Sequence, residues 1–315
     1  MDLLQLLKAN KYDIVVIQEL HIDFLGQTCA NPYWMVIYPR QHLNNPKKTR
    51  SVILVNCNIS MNNWEDLNID SSNVTGVHLH GVFGAICILN VYNNCMNNGS
   101  LRVVEEFMRR RQNRLEVRNR MGEKVLWLGD FNRHHPLWDE ERNVHLFTKA
   151  TLEAAQPLID MISEHDIHMV LPKDIPTLEA CLTKNFTRVN NIFCTENLID
   201  CVISCNTYPH WCPQKTDHLL VISVLEIELE EAIQITKFNY RSMDWEEFRK
   251  SLENNLAEML VVEEITSEED LYDHIAKLNS AIKATFKDQV PLNKLSPYGK
   301  RWWTKDLSSM KKQKQ

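Results

Sequence analysis

Asp130 and Asn132 follow the apolar run Val125-Leu126-Trp127-Leu128 and the strand-breaking Gly129. The run reads as a buried strand, and residues two apart in extended backbone point to one side. A carboxylate only accepts hydrogen bonds, whereas an amide both donates and accepts. The pair can therefore polarise a water, or hold a metal ion, while bracing a phosphate oxygen. An ordinary strand-to-turn cap explains these residues equally well. Two other segments break the tie. Asp13-Ile14-Val15-Val16-Ile17-Gln18-Glu19 is a β-branched strand ending in an acid, and Thr216-Asp217-His218 precedes the apolar run Leu219-Leu220-Val221. Three such strand-end groups suit metal-dependent phosphodiester cleavage. A hard cation takes carboxylate oxygens, the attacking water needs a base, and the phosphate needs a cation or donor.

In order along the chain, Ile17-Gln18-Glu19, Asn90-Val91-Tyr92-Asn93, Gly129-Asp130-Phe131-Asn132-Arg133-His134-His135-Pro136-Leu137-Trp138, Pro176-Thr177-Leu178, Thr187-Arg188-Val189 and Thr216-Asp217-His218 resemble the endonuclease/exonuclease/phosphatase superfamily of exonuclease III and the apurinic endonucleases. Within it they look most like the endonuclease domain of a LINE-type (non-LTR) retrotransposon. The resemblance covers roughly the first 225 residues, about one large α/β domain. It implies DNA as substrate, Mg²⁺ as cofactor with Mn²⁺ as a substitute, and a reverse transcriptase as the usual C-terminal neighbour. Glu19 would be the principal metal ligand, with Asp217 assisting the metal or the leaving group. Asp130 would deprotonate or orient the water, Asn132 would hold it, and His218 would stabilise the developing phosphate charge. Tyr92 would donate to a phosphate oxygen, with Asn93 or Asn94 nearby, and Arg133, His134 and Trp138 would line the DNA-facing rim.

Two departures from the family pattern lead to an expectation of weak or absent activity. Family members begin with a strand ending in an active-site Asn. This chain opens at Met1-Asp2-Leu3-Leu4-Gln5, inside what reads as the following helix, so an N-terminally truncated copy is expected. Asn190 stands where the family carries an Asp that pairs with the active-site His, and an amide supplies no charge to the imidazole. The competing readings are a non-catalytic retroelement remnant and a small-molecule phosphatase of the same fold.

The elements that must position these residues follow from periodicity. Strands are expected near 13–18, 33–38, 51–56, 74–80, 84–92, 125–130, 186–193, 199–204 and 219–225, with helices over 2–9, 101–119 and 147–164. Strand runs separated by single helices give an α/β fold, a two-sheet sandwich flanked by helices. The Arg109-Arg110-Arg111 run lies on a helix-period segment without aromatic interleaving and reads as a solvated face. A helical region is expected over 226–290. Asp244 and Ser267 cap two helices there, whose stripes (Trp245, Phe248, Leu252, Leu256, Leu260; Leu271, Ile275, Leu278, Ile282, Phe286) should pack together. Residues 291–315 form a basic tail, expected to be disordered.

Composition sets the remaining bounds. The net charge is -6, but residues 226–290 hold 16 acidic and 7 basic side chains, and 291–315 hold 7 basic and 1 acidic. The first 225 residues are thus only mildly acidic, compatible with a carboxylate-rich metal site and not with a strongly basic DNA-binding surface. Nine cysteines without a Cys-x-x-Cys motif suit a reducing compartment, nuclear or cytoplasmic, and Cys194, Cys201, Cys205 and Cys212 read as core residues rather than zinc ligands. No apolar run approaches a membrane span and no signal peptide is recognisable.

Overall fold

The computed structural model describes residues 11–28, 33–118, 124–181, 183–212, 216–229, 238–259 and 265–292. The expected helix over 2–9, Leu260 and the tail from residue 293 lie outside them. The described residues form two compact units, one ending by residue 229 and one beginning at residue 238.

In the first unit, β1 (Ile14–Gln18), β2 (Trp34–Ile37) and β3 (Ser51–Asn56) form an antiparallel sheet in the order β1-β3-β2. A larger sheet runs β4 (Trp64–Asp66), β5 (Val74–Gly81), β6 (Gly84–Tyr92), β7 (Lys124–Asp130), β11 (Asn190–Thr195) and β8 (Ile167–Met169). Among the described strands its one parallel pair is β6–β7, with helix α1 (Gly99–Arg118) between them in the chain. Helix α2 (Lys149–Glu164) follows, capped by the Thr148 hydroxyl. Two small ribbons pair β9 (Leu178–Glu179) with β10 (Phe186–Thr187), and β12 (Val202–Thr207) with β13 (Val221–Leu225).

Strand alternation in the large sheet sorts the core into two layers. Cys87, Leu89, Val91, Val125, Trp127 and Phe193 face one way, onto Leu101, Val104 and Met108 of α1 and Leu158 and Met161 of α2. Ile86, Ile88, Leu126, Ile192 and Cys194 face the other way, onto Ile53 and Val55 of β3. The expected sandwich with flanking helices is present. Asn90 shares the sheet-facing side with Ile86 and Ile88, so a fully buried amide sits between the sheets. It is fully used: Nδ2 donates to the carbonyls of Ile17 (3.0 Å) and Val52 (2.8 Å), and Oδ1 accepts from Gln18 Nε2. Its own carbonyl accepts from the Ser51 hydroxyl at 2.9 Å. A buried amide with every group satisfied fixes the register of the two sheets.

Several expectations need adjustment. The strand expected over 186–193 divides into β10 and β11, and the one expected at 199–204 starts later. A short helix, α3 (Glu196–Ile199), precedes it, with Thr195 as its N-cap. Arg109 and Arg110 are exposed and paired with Glu105 and Glu106 one turn earlier, the solvated face read from sequence, whereas Arg111 is half-buried with its guanidinium over the Phe107 ring. Cys194 is a core thiol, pushed up to about 12 by burial.

The second unit holds α4 (Trp245–Met259) and α5 (Glu268–Gln289). Asp244 Oδ1 accepts from the amides of Glu246 and Glu247, and Ser267 and Asp270 complete a capping box. Met243, Phe248, Leu252, Phe286 and Val290 form its core. Leu271, Ile275 and Leu278, expected inside the helix pair, are exposed in this unit, as is Trp245. Small Ala281 and Thr285 are the fully buried residues of α5, and Asn255 Nδ2 donates to the Thr285 hydroxyl at 2.8 Å. No described helix is long and apolar enough to cross a membrane.

Candidate active site

Strand register brings the site together. Tyr92 closes β6 and Asp130 closes β7, and the two are direct partners in the parallel ladder. On the other side of β7, Asn190 opens β11 directly opposite Asp130. Three polar side chains therefore stand abreast at the ends of three inner strands of the large sheet. Gly129 allows their close approach: its φ is +138°, and a Cβ there would lie 2.0 Å from the Val91 carbonyl oxygen. Only glycine allows so close an approach.

Asp130 is buried and Asn132 caps it. The Asn132 backbone N–H donates to Oδ1 and its Nδ2 to Oδ2, both at 3.0 Å. Asn132 adopts φ +51°, a left-handed conformation that Asn tolerates. Burial pushes the Asp130 carboxyl up to about 6. The charge of His218 and the Asn132 amides oppose that rise, and the charge of Glu19 reinforces it. Both residues thus act on Asp130 electrostatically, one across β11 and one from the small sheet.

Glu19 follows β1 in a left-handed conformation (φ +50°) and is exposed. Its N–H donates to the Arg50 carbonyl (2.9 Å), and its Oε1 accepts from the Tyr92 hydroxyl (2.8 Å). Burial, that hydrogen bond and the charges of Glu19 and Asp130 push the Tyr92 phenol up to about 12, so it remains a donor. His218 Nδ1 lies 2.7 Å from Asn190 Oδ1. An amide oxygen only accepts, so Nδ1 carries the proton and Nε2 is the outward-working atom. Asp217 Oδ1 is 4.0 Å from that Nε2. Glu19, Tyr92, Asp130, Asn132, Asn190, Asp217 and His218 thus form one connected group.

Other expected site residues lie elsewhere. Arg133 is 3 % exposed and Trp138 is 1 % exposed, so neither lines a rim. The Arg133 guanidinium donates to the carbonyls of Asn94, Asn97, Asn132 and Ala154 and to the Asn98 amide, tying the loop after β6 to α2. Loop carbonyls that have no ladder partner need this donor. Trp138 packs on Phe193 and donates its indole N–H to the Arg133 carbonyl. Asn93 is also fully buried, and its Nδ2 donates to the Phe131 carbonyl, so it supports the site from below rather than meeting substrate. His134 is 25 % exposed, with Nδ1 2.9 Å from Asp139 Oδ2. Burial raises the Asp139 carboxyl, but hydrogen bonds from His134 and Asn143 outweigh it and hold Asp139 below the usual carboxylate range.

Asn90, Thr177 and Arg50 carry parts that sequence reading gave them no role in. Thr177 Oγ1 accepts from the N–H groups of Val189 (3.2 Å) and Asn190 (3.0 Å), and its carbonyl accepts from Leu219 N–H (2.8 Å), clamping the His218 segment to β11. A lone amide within the apolar run Ile86–Val91 was the available signal for Asn90.

Among the described residues no three His, Cys, Asp or Glu side chains gather as a metal cluster. That donor set still fits Mg²⁺, which keeps several waters and needs only one or two carboxylates beside substrate oxygens. Glu19 offers an exposed carboxylate with one oxygen held by Tyr92.

The catalytic domain of APE2 from Xenopus laevis shares 16 % identity with the chain at a TM-score of 0.52, covering 74 % of this chain and 90 % of that one. The AP endonuclease LMAP from Leishmania major shares 12 % identity at a TM-score of 0.52, covering 69 % and 79 %. At these identities the likeness is one of fold. The endonuclease domain of TRAS1, a telomere-specific non-LTR retrotransposon, aligns at 16 % identity and a TM-score of 0.49 over 70 % of this chain and 88 % of that one. No curated protein matches in sequence. The model of the Endonuclease/Exonuclease/phosphatase family matches residues 1–151, and the Endonuclease-reverse transcriptase model matches residues 86–222. Overlapping at the strands that end in Tyr92 and Asp130, the two models together span residues 1–222, where the chain is similar to the endonuclease/exonuclease/phosphatase family.

Proposed function

We propose that this chain is an Mg²⁺-dependent DNA endonuclease of the retrotransposon target-site type, nicking one strand to leave a 3′-hydroxyl, and that Asn190 slows it. The observation that carries the reading is the convergence of Tyr92, Asp130 and Asn190 on three adjacent strand ends, with Glu19 bonded to the first and His218 to the last. The match of residues 86–222 to an endonuclease linked to reverse transcriptase supports the DNA substrate and a reverse transcriptase as working partner.

In this reading Asp130, ionised above pH 6, takes a proton from a water that Asn132 holds in line with phosphorus. The water oxygen bonds to phosphorus, the P–O3′ bond breaks, and O3′ leaves as a hydroxyl after gaining a proton from solvent. Tyr92 donates to a non-bridging oxygen, and His218 Nε2 meets the charge developing on the phosphate. Glu19 would hold Mg²⁺, with Asp217 as a second carboxylate, and the bound ion supplies charge neutralisation at the phosphate.

Nicking of supercoiled plasmid in Mg²⁺, run beside phosphate release from an inositol phosphate, tests the proposal. Plasmid nicking lost in Glu19→Gln and Asp130→Asn, without inositol phosphate turnover, is the expected result. Turnover of the small substrate alone would identify a phosphatase, and no turnover of either would identify a remnant.

A further inference from the structure

The segment from Arg40 to Arg50 carries positive charge to the Glu19 edge of the site. Lys47, Lys48 and Arg50 are all exposed, whereas Thr49 and Ser51 are buried. The Thr49 hydroxyl lies 2.8 Å from His42 Nδ1, and the His42 ring stacks on Tyr38 at 3.9 Å. The Ser51 hydroxyl donates to the Asn90 carbonyl. With its two neighbours anchored inward in extended backbone, Arg50 is turned outward.

Its main chain is held on both sides. Arg50 N–H donates to the Ser72 carbonyl (2.9 Å), and its carbonyl accepts from Glu19 N–H (2.9 Å). The next residue, Asn73, accepts from Tyr92 N–H (2.8 Å). Arg50 thus lies between the carboxylate at the end of β1 and the segment that fixes Tyr92, and its charge opposes the rise in the Tyr92 pKa. Arg109, Arg110 and Arg142 each pair with a nearby Glu, and Arg133 and Arg188 are buried and bonded to carbonyls. Arg50 has no ion-pair partner among the described residues. An exposed guanidinium held beside an active-site carboxylate without pairing to it is free to take two phosphate oxygens at once.

Resting on the nuclease reading, we propose that Arg50, with Lys47 and Lys48 beside it, is a substrate-positioning residue that binds a DNA backbone phosphate flanking the scissile one. Each phosphate contact adds about 0.9 to the log–log salt slope of duplex binding. The test measures binding of the full chain to a short fluorescein-labelled DNA duplex in EDTA, across a salt series, by anisotropy. Arg50→Ala should weaken binding at least about five-fold and lower the slope by about one. Arg110→Ala, with the same charge change on a distant helix face, should do neither. Plasmid nicking by Arg50→Ala should show a raised KM with kcat within about two-fold, and Arg50→Lys should recover part of the loss. Thermal unfolding checks the fold, and Arg50→Gln serves as a second variant should Arg50→Ala unfold. An effect no larger than that of Arg110→Ala, or a wild-type chain that does not bind the duplex, overturns the proposal. An Arg50-dependent slope in a chain that never nicks upholds the phosphate contact and overturns the nuclease reading alone.

Discussion

His218 Nδ1 and Asn190 Oδ1 lie 2.7 Å apart, and Asn190 itself faces Asp130 across the β7–β11 ladder. The amide holds the ring in one tautomer, as a carboxylate would, but brings no charge to it. Orientation is kept while electrostatic support is lost. Asn190→Asp should raise nicking near neutral pH by on the order of ten- to a thousand-fold. An Asp variant that folds and cuts no faster would show that His218 needs no charged partner.

Asp130 makes a pH prediction with two signs. Its folded pKa of about 6 lies above the ordinary value near 4, so the folded state binds the extra proton between them. Folding stability therefore falls as pH rises from about 4 to 6 and is flat above, as far as this group decides it. Nicking runs the other way, rising about ten-fold per pH unit below 6 and levelling above it. Asp130→Asn should abolish nicking at every pH. A profile flat from pH 5 to 8 would remove Asp130 as the base.

Asn90→Ala should cost about 2–4 kcal/mol. It strands the Gln18 amide and the carbonyls of Ile17 and Val52 between the sheets. Because Gln18 precedes Glu19, the variant should also reduce nicking while folded. Equilibrium urea unfolding with a parallel plasmid assay checks both effects, and unchanged stability would show that the sheets do not rely on this amide.

Arg133→Ala should act on stability, not on DNA contact. It removes the donor for the loop carbonyls after β6, at a cost of about 3 kcal/mol, with the salt slope of DNA binding unchanged. A slope lowered by about one in a chain of unchanged stability would return Arg133 to the DNA face.

How much of this was legible depended on whether the cause was local. Glu19, Asp130 and Asn132 could be read because each stands where an apolar strand stops, and strand ends are where loops carry function. The pairing of Asn190 with His218 was legible only through the family resemblance, since 28 residues separate them. Arg133 and Trp138 were misplaced for a non-local reason: the loop that needs the Arg133 donors lies more than 30 residues earlier. A polar residue in a motif looks the same from sequence whether it meets substrate or the backbone. Strands as short as β4, β8 and β9 offer too few residues for a period to show. Periodicity in α5 placed Leu271, Ile275 and Leu278 inside the helix pair, whereas they are exposed within the unit and Ala281 and Thr285 are buried instead.

A magnesium titration of plasmid nicking tests most directly whether Glu19 holds the ion that supports cleavage of DNA. The wild-type chain should nick supercoiled plasmid in Mg²⁺, stop in EDTA, and show saturating dependence on the ion. Glu19→Gln should lower the rate at least about a hundred-fold at any magnesium concentration, or need far more of the ion to reach a residual rate. Nicking by the wild-type chain that persists in EDTA, or a Glu19→Gln variant with the wild-type magnesium curve, would contradict the account.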